Sequence, residues 1–479
     1  MRTSVEASNA SKGFPMIDVD KVLGDIPHFR KFCSVTDLQE LANSLSADDR
    51  FDVKVAGKSA DGAPLHHIKF GHGATKALFV AFPHCMEPIG GLTVYSLLSL
   101  LREGRVQSLL DADVEWHFVP CIDPDGATRN ERWSQEEFTL DNFMRHFFMQ
   151  ASGEQVDVSF PIAYKSINVV DQPLVEGRVL RSIIDEVRPD FFFSLHNYCC
   201  VGGVFYLLNK DIGTDYYERL YGLLAQLDFP LQETPALPQL RALSKGIVEM
   251  NTFEKSYDFL ERTAPSTELG LAASSWDYLA SIKPDALTFI AESGLVLHPD
   301  ELCQNDTGAS LRRLKLEIDA NSKFLASMLL EEWENVKDEV DKSSPLYRAI
   351  LGGFVIPTPE NLVEGGVPMS TISTRDILFG SARERSMTVA ERFNVCMSES
   401  GYRFLFLSYP LVQLLKESDQ TEAITSALSR IEPAYDEVLA ELKRHVDFTA
   451  FKPICHQTLA KVQLGSGLIV LNSLLEHGA

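Results

Sequence analysis

Ala77-Leu78-Phe79-Val80-Ala81-Phe82 runs directly into Pro83-His84-Cys85-Met86-Glu87-Pro88-Ile89-Gly90-Gly91. The first six residues are continuously apolar and of buried-strand length. A turn carrying His84 and Glu87 follows, and then Val94, Leu97, Leu98 and Leu101 recur at helical spacing. Val114 to Val119 returns as a second strand, and strand, helix, strand implies a parallel sheet.

Two more runs end in the same way. Asp190-Phe191-Phe192-Phe193-Ser194-Leu195 stops at His196, after a helical stripe of Val179, Leu180, Ile183, Ile184 and Val187 that Pro189 terminates. Ala286-Leu287-Thr288-Phe289-Ile290-Ala291 stops at Glu292. In open α/β sheets the ligand site lies beyond the carboxyl ends of the strands, so His84, Glu87, His196 and Glu292 are expected to converge there.

Outside these runs, residues 19–48 read as helical and 51–56 with 64–70 as a hairpin. A long helix is expected over 310–340, carrying Leu311, Leu314, Ile318, Leu325 and Leu329 and ending in the charged stretch Lys337 to Lys342. Helical runs are also expected at 419–431, 434–446 and 457–476. The organisation expected is a segment 1–29, a catalytic domain 30–340, and an accessory domain 341–479 whose role the sequence leaves open.

The 479 residues carry a formal net charge of -23, with 45% hydrophobic content. That charge argues against a nucleic-acid backbone or an anionic membrane surface as the main partner. The N-terminus lacks an apolar core of signal-peptide length, and no later uninterrupted apolar run reads as a membrane span. The eight cysteines show no paired metal spacing, and Cys199-Cys200 are adjacent, which is poor geometry for ordinary bridging. A cytoplasmic protein with reduced thiols is the expectation.

Zinc catalysis uses three N/O protein ligands and an open position for water. A His with an acid three residues on is common by chance, so the pair His84 and Glu87 gains meaning only from its place after a strand and from the equivalent placing of His196 and Glu292. Over roughly residues 30–335 these pieces resemble the zinc metallocarboxypeptidase family, and more distantly its desuccinylase and aspartoacylase branch. The resemblance implies an α/β fold, a mixed, largely parallel twisted sheet flanked by helices, with an added α-rich C-terminal domain. It implies one zinc ion per chain on His84, Glu87 and His196, with Glu292 promoting the attacking water.

The family's Asn-Pro-Asp-Gly turn is matched by Asp123-Pro124-Asp125-Gly126, and a following Arg polarises the scissile carbonyl; Arg132 is preferred over Arg129. A fixed guanidinium there would stabilise an oxyanion. The Asn-Arg pair that grips a terminal carboxylate is split here into Asn142 and Arg145. Ala273-Ser274-Ser275-Trp276-Asp277-Tyr278 is similar to a segment near the family's specificity pocket, which makes Trp276 a pocket-lining candidate and Tyr278 the substitute for a mobile phenol.

His66-His67 lies in a hairpin strand, where adjacent side chains point to opposite faces and cannot easily share a metal. Cys85 is expected as a small buried packing residue. No nucleotide fingerprint accompanies Gly202-Gly203. The expectation is a zinc metallopeptidase of carboxypeptidase type acting on a peptide or acylated amino-acid substrate, with a homo-oligomer open. The rivals are an N-acyl amino-acid deacylase and an inactive binding module that keeps the fold.

Overall fold

Alternate residues of the strand that precedes His84 enter two different cores. The computed structural model describes residues 16–165, 167–169, 174–197, 202–232, 240–263, 273–297, 306–310, 328–352, 386–388, 402–445 and 450–477. Its main sheet contains β1 (Phe51–Lys58), β2 (Pro64–Phe70), β3 (Thr75–Ala81), β4 (Val114–Val119) and β5 (Phe191–Leu195). β6 (Val204–Leu208), β7 (Ala242–Ser244), β8 (Ile247–Glu249) and β9 (Leu287–Ser293) complete it. The nine strands lie in the order β1-β2-β4-β3-β5-β9-β6-β8-β7.

The four central strands β4, β3, β5 and β9 are mutually parallel. β2 and β6 flank them antiparallel, so the sheet is of the mixed kind expected from sequence. Ala77, Phe79 and Ala81 share one core with Phe191, Phe193, Leu195, Leu287 and Phe289. The helices over this face are α1 (Ile89–Glu103), α5 (Thr214–Gln226) and α9 (His456–His477). Leu78, Val80 and Phe192 point the other way, onto α4 (Val175–Val187) and α6 (Ser275–Ile282). Coverage of both faces is why the central strands read as continuous apolar runs rather than alternating ones.

α1 begins on Gly90-Gly91 because its first turn sits directly on the sheet. A Cβ on Gly90 would lie 2.8 Å from Leu195 Cβ and 3.0 Å from the Leu195 carbonyl. This brings the start of α1, and with it Glu87, against the carboxyl ends of β3 and β5. Phe82, between β3 and the His84 turn, takes a left-handed backbone conformation (φ 55), a local cost that bends the chain off the strand.

Residues 456–477, grouped by sequence with everything beyond 341, pack on α1, α5, β9, β5 and β3. Gly467 lies flat on Phe193, whose Cε1 would be 2.3 Å from an added Cβ. Tyr206 and Ser466 pair their hydroxyls at 3.0 Å, and the Asn472 side chain exchanges two hydrogen bonds with the Ile17 backbone, each 3.0 Å. Just ahead of α9, Lys452–Pro453 pairs antiparallel with Val296–Leu297 beyond β9. Lys452–Pro453 and α9 are thus part of the layers built on the main sheet. By length and composition His456–Glu476 could cross a bilayer, although no run there was expected to, and here most of it is buried in this core.

Between Leu297 and Lys452 in the chain, α7 (Tyr402–Glu417) packs on α8 (Glu422–His445). The two runs expected at 419–431 and 434–446 are one helix that continues through Pro433. The helix expected over 310–340 is described only from residue 328, and residues 353–368 lie outside the described residues, as do Cys199 and Cys200.

Candidate metal centre

His84, Glu87 and His196 come together at the carboxyl ends of β3 and β5, with one donor atom from each lying within 4.8 Å of the others. Zinc at its usual ligand distances holds its donors roughly 3.3 Å apart, so the cluster needs only a small contraction to close on an ion. Glu87 and His196 are buried and His84 is half-buried.

Two features show that the donors fit a cation. His84 Nδ1 is buried without a hydrogen-bond partner, and Glu87 Oε2 is buried with no partner but His196. His196 Nδ1 stands 2.9 Å from that same Glu87 oxygen. Orphaned buried acceptors are costly in a finished core, and a shared metal ion is the partner that satisfies them together. The far side of His196 is fixed as well: its Nε2 faces Asp157 Oδ2 at 2.9 Å and Ser194 Oγ at 3.0 Å. A carboxylate there holds the proton on Nε2 and leaves the Nδ1 lone pair for a metal.

Electrostatics follow from the burial. Burial, helped by the His196 charge, lowers His84 to about 3, so its imidazole is neutral and ready to ligate. Burial opposes a charged His196, yet Glu87 and Asp157 outweigh it and hold its pKa well above the ordinary value. Glu87 is raised by burial, partly offset by His196 and by the Asn197 backbone N–H. Glu292 is raised to about 8 by burial and then by Glu87, with His196 acting against them. Glu292, which follows Ala291 on β9, is thus near enough to feel the charges of both Glu87 and His196.

The loop around the ligands is braced by the Asp-Pro-Asp-Gly turn, which starts α2 (Pro124–Ser134). Asp123 Oδ1 accepts from the Gly126 N–H at 2.9 Å as the helix cap. A Cβ on Gly126 would sit 2.6 Å from Cys85 Cβ, so only glycine lets the helix start press on the residue between the ligands. Asn130 completes the brace, accepting from the Trp133 Nε1–H at 2.8 Å and donating to the Phe148 carbonyl at 2.9 Å. Cys85 is buried as expected, its thiol held protonated by burial.

Trp276 reaches the site: its ring lies 6.0 Å from that of His196, edge to face. A capping box between Ser274 and Asp277 fixes the start of α6, and Trp276 Nε1 donates to the Asn251 carbonyl at 2.8 Å. The other substrate-binding candidates are engaged elsewhere. Tyr278 donates to Asp185 Oδ1 at 2.5 Å and stacks near Arg181 on α4. Arg132 is exposed and donates to Gln413 of α7 at 3.2 Å, while Asn142 on α3 (Leu140–His146) donates to the Arg132 carbonyl at 3.2 Å. Arg145 pairs with Asp436 of α8 at 2.7 Å, its guanidinium 5.1 Å from the Tyr435 ring. Arg129 lies over Phe148 at 5.6 Å. None of Arg129, Arg132, Asn142, Arg145 or Tyr278 has a contact with the His84, Glu87, His196 and Glu292 group among the described residues.

Asp157 was not found by sequence. It lies in a short 3-10 turn, Val156–Val158, in a stretch without periodicity, and a lone Asp there carries no signal. His66 and His67 are both buried, and His67 Nε2 meets His117 Nδ1 at 3.0 Å, so they serve the sheet rather than a metal.

No family model matches the chain, and no curated protein matches it. Among solved structures, it is similar to a metallopeptidase candidate from Shewanella amazonensis at 15% identity and TM-score 0.38, over 54% of this chain and 84% of that one. A metallo-carboxypeptidase from Burkholderia cenocepacia is similar at 14% identity and TM-score 0.35, over 55% of this chain and 60% of that one. A metallo-carboxypeptidase from Pseudomonas aeruginosa, solved with (2-guanidinoethylmercapto)succinic acid, is similar at 14% identity and TM-score 0.33, over 55% and 60%.

Proposed function

We propose that the protein is a zinc-dependent hydrolase of peptide or amide bonds. The observation that carries this reading is the gathering of His84, Glu87 and His196 donors at the strand ends, with His84 Nδ1 buried and unpartnered and Glu87 Oε2 2.9 Å from His196 Nδ1. When bound, zinc supplies Lewis-acid polarisation of a carbonyl and lowers the pKa of water. His84, Glu87 and His196 would hold it, and Asp157 would keep His196 in the ligating tautomer. Glu292 takes a proton from the attacking water and returns it to the leaving amine, as one placed carboxylate can do in both directions. Trp276 gives the site a flat apolar wall.

Carboxypeptidase action is the finer reading, supported by the order and spacing of His84, Glu87, His196 and Glu292. It requires a cation to grip the terminal carboxylate, and Arg145 can do so only if its pair with Asp436 opens. That engagement of Arg145 favours a second reading, an N-acyl amino-acid deacylase of the same zinc chemistry. A paired screen of C-terminal peptide substrates and N-acyl amino acids separates the two. In either case Glu292→Gln is expected to lower kcat by about 10²- to 10⁴-fold while zinc content stays unchanged. An active Glu292→Gln protein would remove the mechanism.

A further inference from the structure

We propose that Gln463, on the last helix, is a positioning residue for the metal ligands, acting through the peptide group between His196 and Asn197. The proposal rests on the metal reading above. Gln463 is fully buried in the middle of α9, as is Thr93 on α1. Thr93 Oγ1 donates to Gln463 Oε1 at 2.7 Å, and Gln463 Nε2 donates to the His196 carbonyl at 2.7 Å. The carboxamide is therefore spent at both ends, and its orientation is set by the hydroxyl.

The carbonyl of His196 and the N–H of Asn197 belong to one planar peptide unit. The N–H end of that unit is turned to Glu87, the second ligand. The Asn197 side chain in turn accepts from the Ile89 N–H at 3.1 Å, at the start of α1. One peptide plane thus carries a metal ligand on its own residue, a second ligand on its N–H, and Gln463 on its oxygen. Tilting that plane moves His196 and Glu87 together. A neutral amide at this fully buried position has no packing advantage over Leu or Met, and its burial is costly unless both ends are bonded. The geometry is what a support for a two-ligand peptide requires.

The last helix makes a second buried hydrogen bond to the sheet, between Ser466 and Tyr206, which does not touch the ligand peptide. It provides the control. Full-length wild type, Gln463→Met, Ser466→Ala and Thr93→Val are stripped of metal and titrated with zinc(II) against a chelator, and with cobalt(II) followed by its visible absorption. Gln463→Met is expected to bind zinc about tenfold or more weakly and to give an altered cobalt spectrum. Ser466→Ala is expected to keep wild-type affinity and spectrum although it loosens the same helix. Should Gln463→Met fail to fold, Thr93→Val, which frees the carboxamide, is expected to shift affinity and spectrum in the same direction. Wild-type affinity and spectrum in Gln463→Met, or in Thr93→Val where it stands in, would overturn the proposal, and so would an equal loss in Ser466→Ala. A wild type that binds neither metal would instead overturn the metal reading itself.

Discussion

His67 shows how a residue set aside as a ligand still shapes the molecule. It is buried between β1 and β4, with its Nε2 on His117 Nδ1, and His117 Nε2 on Glu115 at 3.0 Å. Burial, then the His117 charge, lowers His67 to about 4; Glu186 and Asp52 pull the other way and Lys54 adds to the lowering. An unfolded His titrates near 6.5, so between pH 6.5 and 4 the unfolded chain binds the extra proton. The stability contribution is complete above pH 6.5 and is lost as pH falls toward 4. Between pH 7 and pH 5 the loss from this group is about 2 kcal/mol. Urea unfolding at the two pH values should show a difference that shrinks by about that amount in His67→Gln. An unchanged pH dependence would remove His67 as its source. At this scale the sequence was informative wherever a side chain ended an apolar run, which is how His84, His196 and Glu292 were legible. Asp157 and Gln463 were not, because one sits in an aperiodic turn and the other is a single polar residue whose partners are distant in sequence.

At the scale of elements, the central strands were legible because burial on both faces demands uninterrupted apolar residues, although β3 starts two residues earlier than the apolar run and β5 and β9 one residue later. The packing of helix α9 on the sheet was not legible, for a related reason. A helix apolar around its whole circumference declares that it is buried, but not what buries it. The charged stretch near 337–342 resembles a boundary, and nothing local announces that the chain returns to the first sheet afterwards. Gly467 tests this assignment. Its replacement by Ala gains helix propensity of up to about 1 kcal/mol, but the new methyl meets the fully buried Phe193 ring on β5. Overpacking against a ring that cannot move is expected to destabilise the whole protein by about 1–3 kcal/mol, read as a lower denaturant midpoint by tryptophan fluorescence. If α9 belonged to a separate accessory unit, the transition of the sheet domain would be unaffected.

Over the whole molecule, α7 and α8 hold α2 and α3 through Arg132, Arg145 and the Lys443 to Asp141 pair at 2.8 Å, while α9 holds the sheet and, through Gln463, the ligand peptide. The described part of the region beyond residue 341 is thus tied to α2 and α3 through α7 and α8, and to the sheet through α9. The contacts of Arg132 and Arg145 with α7 and α8 were not legible in the sequence, because an arginine on a helix surface looks the same whether it faces a substrate or another helix. All of this has functional meaning only if His84, Glu87 and His196 hold a metal. Elemental analysis of purified wild type and His196→Ala tests that directly. About one zinc per chain in wild type, lost in His196→Ala while the mutant stays folded, is the expected result. No zinc in wild type after reconstitution, or equal zinc in the mutant, would contradict it.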